Sequence, residues 1–181
     1  ADRADRGAAV TIHSDHPFAD PEGTRDAARR LRGRLSARVG LWTTGDGRGR
    51  AGLTVSSMLV VGGEPPLVVG MLDPDSALGE ALEVGDRVVV HLLEWEHRDL
   101  AEQFAGLMPA PGGPFAAAEW EQTSAGPRLA SASTWATGTV SDVRLLGWSL
   151  EVVCELDDVV LGPDDEPLVH RRGRYVRPER R

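Results

Sequence analysis

Within RAGLTVSSMLVVGG, residues 50–63, the hydroxyls of Thr54, Ser56 and Ser57 interrupt a run that otherwise reads as buried strand. A buried hydroxyl without a partner costs on the order of 1–3 kcal/mol, so each must bond to something. Alternation puts Thr54 and Ser56 on one side of the strand and Leu53, Val55 and Ser57 on the other. Two readings follow. Neighbouring backbone or solvent satisfies the hydroxyls, or an anionic or heteroaromatic ligand lies across the strand and its turn, with Gly52 letting the backbone approach closely. Ser76, at the expected start of a helix after MLDPD, is either a plain helix cap or a second anion-friendly position.

Other chemistry finds less support. His13 and His16 in HSDH, and His91 and His97 flanking LLEWE, lack the His-Glu-x-x-His spacing of a zinc-protease helix. There is no Gly-x-Ser-x-Gly elbow, and GDGRGR falls in an expected hairpin turn rather than a dinucleotide fingerprint. The carboxylates Asp157, Asp158 and Asp164 to Glu166 flank expected strand ends and read as solvated turns. Lysine is absent and all twenty basic residues are arginines, which removes Schiff-base and Walker-type lysine chemistry. The net charge of −8 opposes nucleic-acid binding. A lone cysteine, Cys154, excludes an internal disulfide.

The elements that must position these residues read as mainly β. The 181 residues suit one domain: a loose lead-in over 1–21, a domain over 22–176 and a basic tail over 177–181. EGTRDAARRLRGRL predicts a short helix over 22–35. A hairpin with strands near 37–44 and 50–58 turns at GDGRG. LVVGML reads as a central strand buried on both faces. PDSALGEALEVGD reads as a helix closed by Gly85, RVVVHLL as strand, and EHRDLAEQFAG as a helix ending at Gly106. Residues 107–128 read as an irregular excursion anchored by Phe115 and Trp120. Two long strands meet at Gly147, and PLVHRRGRYV forms a last one. About seven strands and three short helices make a closed, Greek-key-like β-barrel the expected architecture. With no apolar run of roughly 20 residues and no secretory pattern, a soluble cytoplasmic protein is expected.

Six segments in order, a short helix followed by RVGLWTTGDGRGRAGLTVSS, EPPLVVGMLDPDSALGEAL, GDRVVVHLLEWEHRDLAEQFAG, GPRLASASTWATGTV and EPLVHRRGRY, resemble the flavin reductase family with its FMN-binding split barrel. The resemblance implies a homodimer binding FMN, or FAD, near the subunit interface. It implies hydride transfer from NADH or NADPH to the flavin, often to serve a separate monooxygenase. Residue by residue, it implies flavin contacts from Thr44, Gly52, Leu53, Thr54, Val55, Ser56, Ser57, Asp73, Ser76 and His91. Phe104 and Gly106 match the family's helix end. His170, Gly173, Arg174 and Tyr175 match the motif near flavin and nicotinamide. With lysine absent, Arg48 or Arg50 is the nearest candidate to offset a flavin phosphate. No side-chain nucleophile is needed, because the flavin carries the chemistry.

One departure stands out. Where many members carry Gly-Asp-His, this chain reads Gly147, Trp148, Ser149, so Ser149 replaces a histidine associated with the nicotinamide. Trp148 could stack on a ring or line an interface. The departure leaves two alternatives open beside a nicotinamide-dependent reductase: a flavin or deazaflavin oxidoreductase with another reductant, and a non-catalytic flavin-binding or dimerisation module.

Overall fold

The computed structural model describes residues 27–177. The leader histidines, residues 22–26 of the first expected helix and residues 178–181 of the tail lie outside the described residues. In chain order the elements are α1 (Ala27–Arg34), β1 (Ala37–Arg38), β2 (Gly40–Thr44), β3 (Ala51–Val55), β4 (Met58–Val61), β5 (Leu67–Leu72), α2 (Ala77–Ala81), β6 (Arg87–Leu92), α3 (Arg98–Phe104), β7 (Trp120–Thr123), β8 (Gly126–Leu129), β9 (Thr134–Leu146), β10 (Ser149–Val160), β11 (Val169–Arg171) and β12 (Arg174–Val176).

Seven strands form one curled antiparallel sheet in the order β3-β2-β6-β9-β10-β5-β4. The two edge strands, β3 and β4, are neighbours in sequence, joined only by Ser56 and Ser57. No ladder pairs them among the described residues, so β3 keeps one free edge. The concave side holds an apolar core around Trp42, Val55, Val68, Leu72, Leu78, Val88, Val140, Val152 and Cys154. Gly70 belongs there because a Cβ would stand 2.8 Å from the Trp42 indole. A second core on the other side of β2 gathers Val39, Leu41, Leu93, Leu100, Phe104, Leu129 and Leu168.

Four expectations change. LVVGML is β5, one strand from the edge, and its burial alternates, so it is covered on one face rather than two. α2 ends at Ala81 with Leu82 as its cap, while Gly85 lies in the next turn, where its N–H donates to the Val140 carbonyl. The excursion contains a hairpin: β7 and β8 pair from Trp120↔Leu129 to Thr123↔Gly126. The last expected strand is also a hairpin, β11–β12, and β1 extends it to three strands. Phe115 and Trp120 do anchor the excursion. Their rings pack edge to face at 4.9 Å, Phe104 closes the trio, and the Trp120 indole donates to the Phe115 carbonyl at 2.9 Å.

Candidate functional site

Strand β3 alternates as its sequence requires. Ala51, Leu53 and Val55 contribute to the core inside the curled sheet, leaving only their backbone for a ligand. Gly52 and Thr54 face α3 instead. A Cβ on Gly52 would stand 2.7 Å from the Phe104 ring, so this glycine admits α3 rather than a cofactor. The Thr54 hydroxyl donates to the Ala101 carbonyl at 2.8 Å and ties the strand to the same helix. The Thr54 proton is therefore committed to the fold.

Four other candidates also have hydrogen-bond partners within the chain. The Thr44 hydroxyl donates to the Arg87 carbonyl at 2.6 Å. The Ser76 hydroxyl donates to the Asp73 carbonyl at 2.6 Å and accepts from the Gly79 N–H at 3.0 Å, which makes it the cap of α2. The Asp73 carboxylate accepts from the Asp75 N–H at 2.9 Å. His91 is fully buried, with Nδ1 2.8 Å from the Leu41 carbonyl and Nε2 accepting from the Leu129 N–H at 3.0 Å. That pattern fixes the neutral imidazole with its proton on Nδ1. Burial, aided by Arg128 and His97 against the Leu41 hydrogen bond, pulls its pKa down to about 4. His91 clamps β8 to β2 and has no nitrogen left for a flavin. His97 is likewise structural: it accepts from the Glu94 N–H and lies 3.0 Å from the Ser131 hydroxyl.

Ser56 and Ser57 differ. Neither hydroxyl makes a hydrogen bond among the described residues, although the Ser57 carbonyl accepts from the Met71 N–H at 2.8 Å. Ser56 is half-buried on the outward face that also carries Thr54, and Ser57 is exposed. The register brings further candidates to this end of the sheet. Met71 pairs with Glu151 and Leu72 with Leu150, so Asp73 and Ser149 continue the same two strands. Trp148 forms the β9–β10 turn beside Ser149 and is 70% exposed, free to meet a ring or a partner. His170 and Tyr175 face each other in the β11–β12 ladder, ring centroids 5.9 Å apart and both half-buried, and His170 also pairs with Ala37 just ahead of β2. Burial is the main cause that lowers the His170 pKa and raises that of Tyr175 to about 12.

Arg48 and Arg50 sit at the opposite end of β3, about 20 Å from Ser56 at the usual rise per strand residue. The Arg50 guanidinium lies 4.9 Å over the Phe115 ring, and its Nε donates to the Gly47 carbonyl. Neither arginine pairs with a carboxylate among the described residues. A separate open cleft of about 480 Å³ lies between α3 and the excursion, lined by Glu96, Asp99, Gln103 and Glu119. Its carboxylates would repel a phosphate, so it is unsuited to a flavin nucleotide. Among the described residues no group of three or more His, Cys, Asp or Glu side chains could hold a metal ion, and no helix is long and apolar enough to cross a membrane.

A curled seven-stranded antiparallel sheet with few helices defines a mainly β fold. The flavin reductase like domain matches residues 32–179, and the chain belongs to that family. It is 30% identical over 156 residues to the FMN reductase (NADH) RutF of Ancylobacter novellus, covering 86% of each chain. It is 28% identical over 151 residues to the 4-hydroxyphenylacetate 3-monooxygenase reductase component of Pseudomonas aeruginosa, covering 82% of this chain and 89% of that one. Among solved structures, the Streptomyces globisporus NADH:FAD oxidoreductase SgcE6 superposes with a TM-score of 0.74 at 24% identity, over 84% of this chain and 91% of that one. The flavin reductase PheA2 gives a TM-score of 0.75 at 20% identity, over 84% and 97%.

Proposed function

We propose that the chain is a flavin reductase that takes a hydride from NADH or NADPH and supplies reduced flavin, FMN or FAD, to a separate monooxygenase. The observation that carries this reading is the Ser56–Ser57 pair, where hydroxyls without a protein partner follow the free edge of β3 in a chain of this family. The donor set suits a flavin nucleotide. Hydroxyls and free backbone groups match its pyrimidine edge and ribityl chain, whereas Arg48 and Arg50, about 20 Å away along β3, are too far to meet the phosphate of a flavin held there. Bound flavin supplies two-electron chemistry, so the protein needs no nucleophile of its own. His170, Arg174, Tyr175, Trp148 and Ser149 are assigned to the nicotinamide side, where they orient the reductant and exclude water.

The same reading includes a second copy of the chain. The outer face of β4 and β5 presents Leu59, Val61, Leu67, Val69 and Met71, and Leu59 is 55% exposed on an edge strand. An apolar sheet edge of this kind needs a cover, and a homodimer would provide it while completing a split barrel with the flavin near the interface. Anaerobic stopped-flow absorbance tests the activity directly. FMN-loaded protein mixed with NADH, and separately with NADPH, should lose its oxidised-flavin band rapidly with at least one of them. Retained absorbance with both, with FMN still bound, would contradict the reductase and favour a binding module.

A further inference from the structure

We propose that Arg171 and Arg172, together with Arg32 and Arg34 at the end of α1, bind the 2′-phosphate of the reductant, so that the protein prefers NADPH to NADH. This inference rests on the reductase reading above and adds a specificity to it. The tip of the β11–β12 hairpin reads Arg171-Arg172-Gly173-Arg174, in a chain whose net charge is −8. Arg171 stands directly opposite Arg174 in the ladder, an arrangement of like charges that disfavours folding by itself. Arg172 holds φ at +50°, an uncommon conformation for a residue with a long side chain. Its N–H donates to the Gly33 carbonyl at 2.9 Å, which draws the tip against the helix end bearing Arg32 and Arg34.

None of these five arginines has a carboxylate partner among the described residues. Arg38, Arg87, Arg98, Arg128, Arg144 and Arg177 each hold an Asp or Glu, while Arg48 and Arg50 share the lack of a carboxylate partner but stand apart from this group. Unanswered guanidinium groups gathered at one contact are suited to a multiply charged anion, which they can grip bidentately. The neighbouring His170–Tyr175 pair gives the site flat, half-buried rings; Arg32 acts electrostatically on His170, and the Glu102 carboxylate acts on both rings. An anion carried on a heterocyclic nucleotide therefore fits better than a free one. A diphosphate bridge brings about two negative charges, and a phosphate monoester adds about 1.5 to 2 more at neutral pH. In Rossmann folds, an unrelated architecture, an arginine beside the dinucleotide meets such a 2′-phosphate by the same charge pairing.

The test uses binding, independent of turnover. Flavin-free protein is titrated calorimetrically with adenosine 2′,5′-bisphosphate and with 5′-AMP, in wild type and in the Arg171→Gln/Arg172→Asn double variant. Asn tolerates the left-handed conformation at position 172. Wild type should bind the 2′,5′-bisphosphate at least tenfold more tightly than 5′-AMP, and the double variant should lose most of that preference. If the double variant fails to fold by circular dichroism, Arg171→Gln alone should reduce the preference at least threefold. Equal affinities in wild type, or a preference that survives the substitutions, would overturn the proposal. Binding of poly-L-glutamate through these arginines without any 2′-phosphate preference would overturn it too, by making the patch a docking surface for an acidic protein. Flavin bleaching by NADH is scored separately, so a failed reductase and a failed 2′-phosphate site give different results.

Discussion

On β2 and β3, and around His91, the threonine hydroxyls and the imidazole are answered from within the chain. Thr43 donates to the Pro127 carbonyl, Thr44 to that of Arg87 and Thr54 to that of Ala101, while both His91 nitrogens are taken. Two residues further along the same strand, Ser56 and Ser57 have no such answer. The sequence offers hydroxyls in both regions, yet their energetic roles differ. Where a hydroxyl or imidazole already bonds to backbone, removing it costs stability and leaves ligand affinity alone. Where it bonds to nothing internal, removing it should cost affinity and leave stability nearly unchanged.

The largest expected effect lies in the packed region. His91→Leu leaves the Leu129 N–H unpaired in the core, at about 1–3 kcal/mol, and removes the side-chain bond to the Leu41 carbonyl, at about 1 kcal/mol. Urea unfolding should show a loss of about 3 kcal/mol, and a loss under 1 kcal/mol would show that the clamp is dispensable. The same residue sets a pH dependence. Its folded pKa of about 4 lies below the ordinary 6.5, so between those values the unfolded chain binds a proton that the folded chain refuses. The stability held by neutral His91 is complete above pH 6.5 and falls as pH drops toward 4, by about 3 kcal/mol in total at 1.36 kcal/mol per pH unit. Unfolding free energies across that range should fall less steeply in His91→Gln than in wild type. An equal slope would place the titrating group elsewhere. A smaller effect is expected from Thr54→Val, about 1 kcal/mol of stability from the lost bond to Ala101. Its FMN dissociation constant should stay within twofold of wild type, and a larger change would move Thr54 back among the flavin ligands.

The contrast also explains how much could be read from the chain. Apolar β-prone runs and Gly-rich turns located β2, β3, β5, β6, β9 and β10, whether the strand is buried throughout, as β2 is, or on alternate residues, as β5 is. The β7–β8 hairpin escaped because WEQT is largely polar, and Gly126-Pro127 reads as a breaker although Pro127 fits a two-stranded ribbon. Local pattern also suggested the hydroxyl strand as a site, but could not say which hydroxyls were already spent. Thr54 reaches its acceptor 47 residues away, and the two His91 bonds span 50 and 38. Gly52 reads as room for a ligand until α3 folds over it with Phe104. Partners at such separations follow from the folded chain, not from spacing along the strand. Ser76 was the nearer case, since its cap on Gly79 lies within one helical turn and the helix-start reading anticipated it.

The central claim is that Ser56 and Ser57 hold the flavin while Thr54 holds the fold. The most direct test is a fluorescence titration of FMN against wild type and the Ser56→Leu/Ser57→Leu double variant, with thermal melts of both. The account predicts at least a tenfold rise in the FMN dissociation constant with a melting temperature shifted by no more than about 2 °C, since exposed substitutions usually stay within about 0.5 kcal/mol. An unchanged dissociation constant in a folded double variant would contradict it and move the flavin site away from the β3–β4 link.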